Sequence, residues 1–209
     1  MIHIDSSEAR ELASRLVAAG GVFAFRTDTF YGLGADPFSA AALQTINELK
    51  GREGKPILVL LSEGAAAARL LEGTGAVFDA LAGRLWPGPL TLVGKARPNL
   101  PELLTAGTGT IGVRLPSDED VRVLVRACGG ALTATSANPA GLPPARTAQE
   151  AADYFAGRLE LVVDGGAART DLPSTVLDVS GEGPRLIREG VLSKERIGEV
   201  LRELGIVLG

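Results

Sequence analysis

The chain has 209 residues, 45% hydrophobic and 22% charged, with a formal net charge of −4. That balance describes a globular chain long enough to bury a core, and it argues against both a disordered segment and a protein that grips nucleic acid through bulk positive charge. With one cysteine, Cys128, and one histidine, His3, a single chain builds neither a disulfide framework nor a Cys/His zinc cage.

His3 stands at a terminus expected to be mobile, which argues against a serine–histidine triad. Ser6 or Ser7 starts a helix carrying apolar Leu12, Leu16 and Val17, and Gly20-Gly21 stops it. Val22 to Phe25 reads as a buried strand, and the hydroxyl- and turn-rich run from Arg26 to Pro37 follows it. Ser39 caps a second helix in which Leu43, Ile46 and Leu49 share a face and which ends at Lys50. Next come a strand from Ile57 to Leu61, an alanine-rich helix, and another helix ending near Leu85. Trp86-Pro87-Gly88-Pro89 is a rigid turn, anchored by the tryptophan, into a strand from Leu90 to Val93. Thr110 to Leu115 is a strand, and Ser117 with Asp120 has capping-box spacing ahead of the helix that ends at Cys128, where the thiol is expected to be packed. Ala131 to Thr135 is a strand running into Ser136-Ala137-Asn138. Thr147 and Glu150 form a second capping box. Leu159 to Val163, Thr175 to Val179 and Arg185 to Arg188 are strand-like, and Ser193 opens a closing helix.

Strands and helices mix without strict alternation. We therefore expect α/β architecture, a twisted open mixed sheet flanked by helices in a single domain, 1–209. No apolar run approaches a membrane span, and the N-terminus carries no cationic and apolar leader, so a soluble cytoplasmic protein is expected.

Two glycine patterns are decoys. Gly107-Thr108-Gly109-Thr110-Ile111-Gly112 matches the dinucleotide fingerprint in letters, but a loop precedes it and a strand follows, the reverse of what that turn needs. Gly88 to Lys95 has one residue too many between its glycines for a P-loop and no Ser or Thr after the lysine. The segment Lys50-Gly51-Arg52-Glu53-Gly54-Lys55-Pro56 puts three cations within six residues. It reads either as a polyanion cradle or, at Lys50-Gly51, as an ordinary helix ending. Polar clusters also fall at strand ends, where open α/β sheets hold ligands: Thr27-Asp28-Thr29-Phe30-Tyr31 after one strand, Thr133 to Asn138 at another. Arg114, flanked by valine and leucine, needs an anion, which can be an internal carboxylate or that of a ligand. Arg188 repeats the pattern, unless it sits at an exposed edge. Asp28 and Asp36 are candidate metal ligands, although a turn explains Asp28 more simply.

In combined order, Thr27-Asp28-Thr29-Phe30-Tyr31-Gly32-Leu33-Gly34, Lys50-Gly51-Arg52, Lys55-Pro56-Ile57, Trp86 to Thr91, Gly112 to Pro116, Ser136-Ala137-Asn138, Ser174-Thr175-Val176 and Arg188-Glu189-Gly190 strongly resemble the YrdC-like family of threonylcarbamoyl-AMP synthases. The resemblance covers about Val22 to Ser193. It implies synthesis of threonylcarbamoyl-AMP and pyrophosphate from L-threonine, bicarbonate and ATP with magnesium, for tRNA threonylcarbamoyladenosine modification, in a fold with a positively charged concave face. It further implies a catalytic tetrad at Lys50, Arg52, Ser136 and Asn138. Nucleotide contacts would be Arg52, Lys55, Thr110, Ser136, Pro144 and Arg188, and threonine contacts Thr29, Leu60, Arg114, Ala134 and Ser174. A tRNA contact and a downstream threonylcarbamoyl-transferase complex are the implied partners, with no membrane.

Several positions depart from the family pattern: Arg26 and Glu53 stand where prolines are usual and place opposite charges near the expected mouth, and Glu189 follows Arg188. The extra C-terminal domain of longer members is expected to be absent. Two other functions compete with synthesis: a YciO-type nucleotide- or RNA-binding relative without this activity, and a carbamoyl-transfer enzyme that reuses the domain.

Overall fold

The computed structural model describes residues 1–51 and 54–208. Its strands form two mixed sheets. The first has five strands in the order β1 (Ile2–Ile4), β9 (Val162–Asp164), β2 (Phe23–Arg26), β3 (Tyr31–Gly34) and β8 (Thr135–Ser136). The second has six: β11 (Arg185–Arg188), β10 (Thr175–Asp178), β5 (Leu90–Lys95), β6 (Thr110–Arg114), β4 (Val59–Leu61) and β7 (Ala131–Thr133). Both sheets mix parallel and antiparallel neighbours, as the irregular order of helical and strand patterns predicts.

Three strand expectations change. The N-terminus is not loose: Ile2–Ile4 pairs parallel with β9, His3 opposite Val163. The turn-rich run after β2 contains a strand, because Thr27 to Phe30 makes a tight turn and β3 returns antiparallel with Phe23 opposite Gly34. A side chain at Gly34 would meet the Phe23 and Phe25 rings at 2.8 and 2.9 Å, so the glycine lets the hairpin lie against two aromatics. The strand read over Ala131 to Thr135 is split at Ala134, with β7 in one sheet and β8 in the other. Thr133 donates its backbone N–H to Ala35 O at 3.0 Å and Ala134 to Leu58 O at 2.9 Å, which pins the sheets together there.

Helix starts follow hydroxyl and carboxylate caps. Ser6, Ser39, Thr147 and Ser193 accept from the third residue onward and open α1 (Ser7–Ala18), α2 (Ala40–Lys50), α6 (Ala148–Phe155) and α7 (Lys194–Glu203). Helix α5 (Glu119–Ala127) starts one residue later than the Ser117 spacing predicts, because Asp118 is the cap and accepts from Asp120 N. Gly64–Arg69 is a 3₁₀ helix, followed by α3 (Ala76–Leu85), and the short α4 (Glu102–Thr105) was not expected. In α1 the buried residues are Ala9, Ala13 and Val17, while Leu12 is exposed: small side chains face inward where the helix packs against α5.

The core has two parts. One gathers Val59, Leu92, Ile111, Val113 and Leu177 of the six-stranded sheet with Leu43, Ile46, Leu81 and Leu201 from helices. The other places Phe23, Phe25, Leu60 and Leu132 against Ala13, Val17, Leu124 and Val125 of α1 and α5. Each buried large side chain contributes about 1.5–3 kcal/mol by leaving water. Cys128 belongs to this second part, and burial pushes its thiol up to about 12. Arg26 does not sit at a ligand mouth. It is buried, 2.8 Å from Asp118, whose carboxyl stays below its ordinary value because Arg26 and Arg169 outweigh the upward push of burial.

Candidate active site

A cleft of about 680 Å³ opens over one face of the six-stranded sheet. Alternation builds its floor. Along β5, Leu90 and Leu92 point to the core, and Thr91 and Val93 line the cleft. Along β6, Ile111 and Val113 are core residues and Thr110, Gly112 and Arg114 face the cleft. Val176 and Asp178 of β10 and Arg185, Ile187 and Arg188 of β11 complete the floor. The opposite wall comes from the Thr27–Phe30 turn, the sheet junction at Ala134 to Ser136, and Pro144. The volume lies within the ~300–1,000 Å³ typical of small-molecule sites.

Eight sequence-predicted residues line this one space: Thr29, Thr110, Arg114, Ala134, Ser136, Pro144, Ser174 and Arg188. They come from segments up to 159 residues apart in sequence. Lys50 sits behind the wall. Gly51, at φ 59°, closes α2 by donating to Asn47 O and Glu48 O, so the helix ending is glycine's work. The Lys50 ammonium instead donates to the carbonyls of Ser136 and Asn138, the latter at 2.8 Å, and ties the helix end to that loop. Asn138 is buried and donates Nδ2 to Pro139 O at 3.1 Å and Leu142 O at 2.6 Å, shaping the loop that carries Pro144. Three tetrad positions are thereby brought together. The fourth, Arg52, lies outside the described residues, as does Glu53. Lys55 is exposed, one residue before Pro56 at the cleft edge.

Leu60 is placed differently from expectation. It is paired in register with Arg114, yet it is fully buried in the apolar cluster of Phe23, Phe25 and Leu132. Leu58 reaches the cleft instead.

Arg114 has an internal anionic partner and also faces the cleft. Its Nη2 lies 2.9 Å from Asp28 Oδ1, an internal ion pair, while its side chain also lines the cleft. The Asp28 turn is stiffened by Thr27, which donates its hydroxyl to Phe30 O at 2.7 Å and accepts from Thr29 N at 3.1 Å. Arg188 donates Nη2 to Ser174 O at 2.9 Å, and Ser174 Oγ lies 3.0 Å from Thr91 Oγ1. Desolvation first, then the Arg114 charge, pushes the Arg188 guanidinium below its ordinary value. Thr91, although within the Trp86 to Thr91 motif, and Thr108 are cleft residues that were not expected as contacts, and alternation around Leu90 and Leu92 was the available signal for Thr91.

Among the described residues no three His, Cys, Asp or Glu side chains gather to hold a metal. Asp178, a cleft carboxylate, is occupied by Ser180 and Arg185. The described residues therefore do not fit a metal cage built by the protein. Among them no helix is long and apolar enough to cross a membrane.

The family model Sua5_yciO_yrdC, described as "Telomere recombination", matches residues 15–190. The chain is 37% identical over 182 residues to a threonylcarbamoyl-AMP synthase of Thiobacillus denitrificans, covering 85% of this chain and 96% of the relative. It is 35% identical over 196 residues to the threonylcarbamoyl-AMP synthase of Pyrococcus abyssi, covering 93% of this chain and 58% of that protein. The solved structure of P. abyssi Sua5 complexed with L-threonine superposes with a TM-score of 0.94 at 32% identity, over 100% of this chain and 62% of the other.

Proposed function

This chain belongs to the Sua5_yciO_yrdC family, and on that premise we propose that it is an L-threonylcarbamoyladenylate synthase, a nucleotidyltransferase serving tRNA modification. The observation that carries the reading is the convergence of eight polar and loop residues from distant segments on one cleft of suitable volume. The names of the relatives point to the reaction class, and the complex of P. abyssi Sua5 with L-threonine points to the amino acid.

In this reading the threonine amine adds to carbon dioxide formed from bicarbonate with loss of water. The resulting carbamate oxygen attacks the α-phosphorus of ATP, and pyrophosphate leaves. Arg114 receives the threonine carboxylate through its planar fork, and the Thr29 and Ser174 hydroxyls orient the amino acid. Arg188, Thr110, Ser136 and Pro144 hold the nucleotide, with Arg52 and Lys55 contributing charge from their loop. Lys50 and Asn138 keep the Ser136 loop in place, so their part is positional as much as electrostatic. No protein base is assigned, because carboxylation of an amine depends chiefly on proximity. Magnesium would arrive on the triphosphate, and no step is routed through a site of the protein. A tRNA contact and delivery of the adenylate to a threonylcarbamoyl transferase belong to the same proposal.

The test is pyrophosphate release by purified protein. Release that requires threonine, bicarbonate and ATP together supports synthesis. RNA binding with steep salt dependence and no turnover favours a binding protein instead.

A further inference from the structure

The Asp28 carboxylate lies under the cleft. Its side chain is 3% exposed and that of its partner Arg114 2%, with 2.9 Å between Oδ1 and Nη2. Neither Asp28 oxygen has an aligned hydrogen-bond donor, so charge holds the pair together. The partners come from different sheets, Asp28 from the turn between β2 and β3 and Arg114 from the end of β6. Arg114 faces the cleft; Asp28 is not part of its lining and acts from beneath. Arg188 is on the same surface and feels the Arg114 charge. The neighbouring Asp178 and Arg185 pair at 3.1 Å and cancel each other. Among the described residues of the floor, two guanidiniums, Arg114 buried and Arg188 exposed on the edge strand β11, stand with one buried carboxylate, an excess of one positive charge.

We infer that Asp28 is a specificity-determining residue: by cancelling the Arg114 charge at the amino-acid end of the cleft it weakens the hold of that end on a divalent anion relative to the carboxylate of a zwitterionic amino acid. The Asp28 and Arg114 side chains are buried, so a change in their summed charge is weakly screened and is felt by an anion above them. With Asp28 in place, a dianion overshoots the excess charge of the floor, whereas zwitterionic threonine presents its carboxylate to Arg114 and brings no net charge. Replacing Asp28 with Asn keeps the shape and raises the floor by one positive charge, which shifts the preference toward the dianion. A role confined to bracing the turn would instead weaken every ligand alike.

The inference rests on the proposed threonine site, and the experiment separates the two. L-Threonine binding is measured by calorimetry without nucleotide, with sulfate as the competing dianion, in wild type, D28N, R188Q and D28N/R188Q. The ratio of the threonine to the sulfate dissociation constant is expected to rise by about tenfold or more in D28N, and R188Q added to D28N is expected to return it to within about threefold of wild type. Equal changes in both constants, or no change, overturn the inference. If D28N does not fold, R188Q alone must shift the ratio by about threefold or more in the opposite direction, and an unchanged ratio overturns it. If wild type binds no threonine, the proposed amino-acid site fails. Sulfate affinity then decides the charge inference by itself: about tenfold tightening in D28N sustains it and no tightening overturns it.

Discussion

Replacing Lys50 with Met removes the ammonium that holds the Ser136–Asn138 loop and keeps a side chain of similar length. Lys50 is 2% exposed, and its Nζ donates to the Ser136 and Asn138 carbonyls. A hydrogen bond to a charged group contributes about 1.5–3 kcal/mol, and relief from burying the ammonium offsets part of the loss. A net destabilisation of about 3 kcal/mol remains, which lowers the Tm of a chain this size by about 6–12 °C. A domain with the usual ~5–15 kcal/mol of stability stays folded at 25 °C, so turnover can be measured there. Because Ser136 lines the cleft, pyrophosphate release should fall by more than about tenfold although the protein is folded. Circular-dichroism melting and a pyrophosphate assay on the same preparation read both effects. A Tm within about 2 °C of wild type, or turnover within about threefold, would refute the claim that this lysine organises the loop.

Leu60→Ala is expected to cost about 2–5 kcal/mol in denaturant unfolding, as a fully buried leucine should, whereas Leu58→Ala should cost less than about 1.5 kcal/mol and mainly alter ligand affinity. The opposite ranking would contradict their placement. Gly190→Ala drives a methyl into the Pro173 carbonyl oxygen and the Ser174 backbone, so threonine affinity by calorimetry should drop along with about 1–3 kcal/mol of stability; a variant that binds normally would show that this backbone approach is not needed. Burial holds the Cys128 thiol up to about 12, above its unfolded value near 9, so the folded protein keeps a proton that the unfolded chain loses between those values. The Cys128 contribution is therefore intact below pH ~9 and is lost as pH rises toward 12; Cys128→Ala should flatten urea-measured stability across that window, and an unchanged slope would contradict it.

The parts of the fold legible in the sequence were those set by local chemistry. Ser39, Thr147 and Ser193 cap helices because a hydroxyl at that position accepts an otherwise unpaired backbone N–H. The Trp86 turn is anchored as expected, with Nε1 donating to Leu90 O at 2.7 Å. What escaped was decided by distant partners. Ile2–Ile4 becomes a strand only because β9, 160 residues later, offers a free edge. Tyr31–Gly34 hides among turn-forming residues, since two of its four positions are glycines that make room for aromatics and backbone across the sheets. The site followed the same rule. Residue types such as Arg114 and Ser136 marked it, but the choice between Leu58 and Leu60, and the inward turn of Arg26 to Asp118, depend on which face of each strand another element covers.

The most direct test of synthesis follows two labels into one molecule. Protein incubated with L-threonine, [14C]bicarbonate and [α-32P]ATP should yield a product carrying both labels, formed only when threonine is present and accompanied by pyrophosphate. Formation of ADP and phosphate instead, or an adenylate without bicarbonate carbon, would contradict the account.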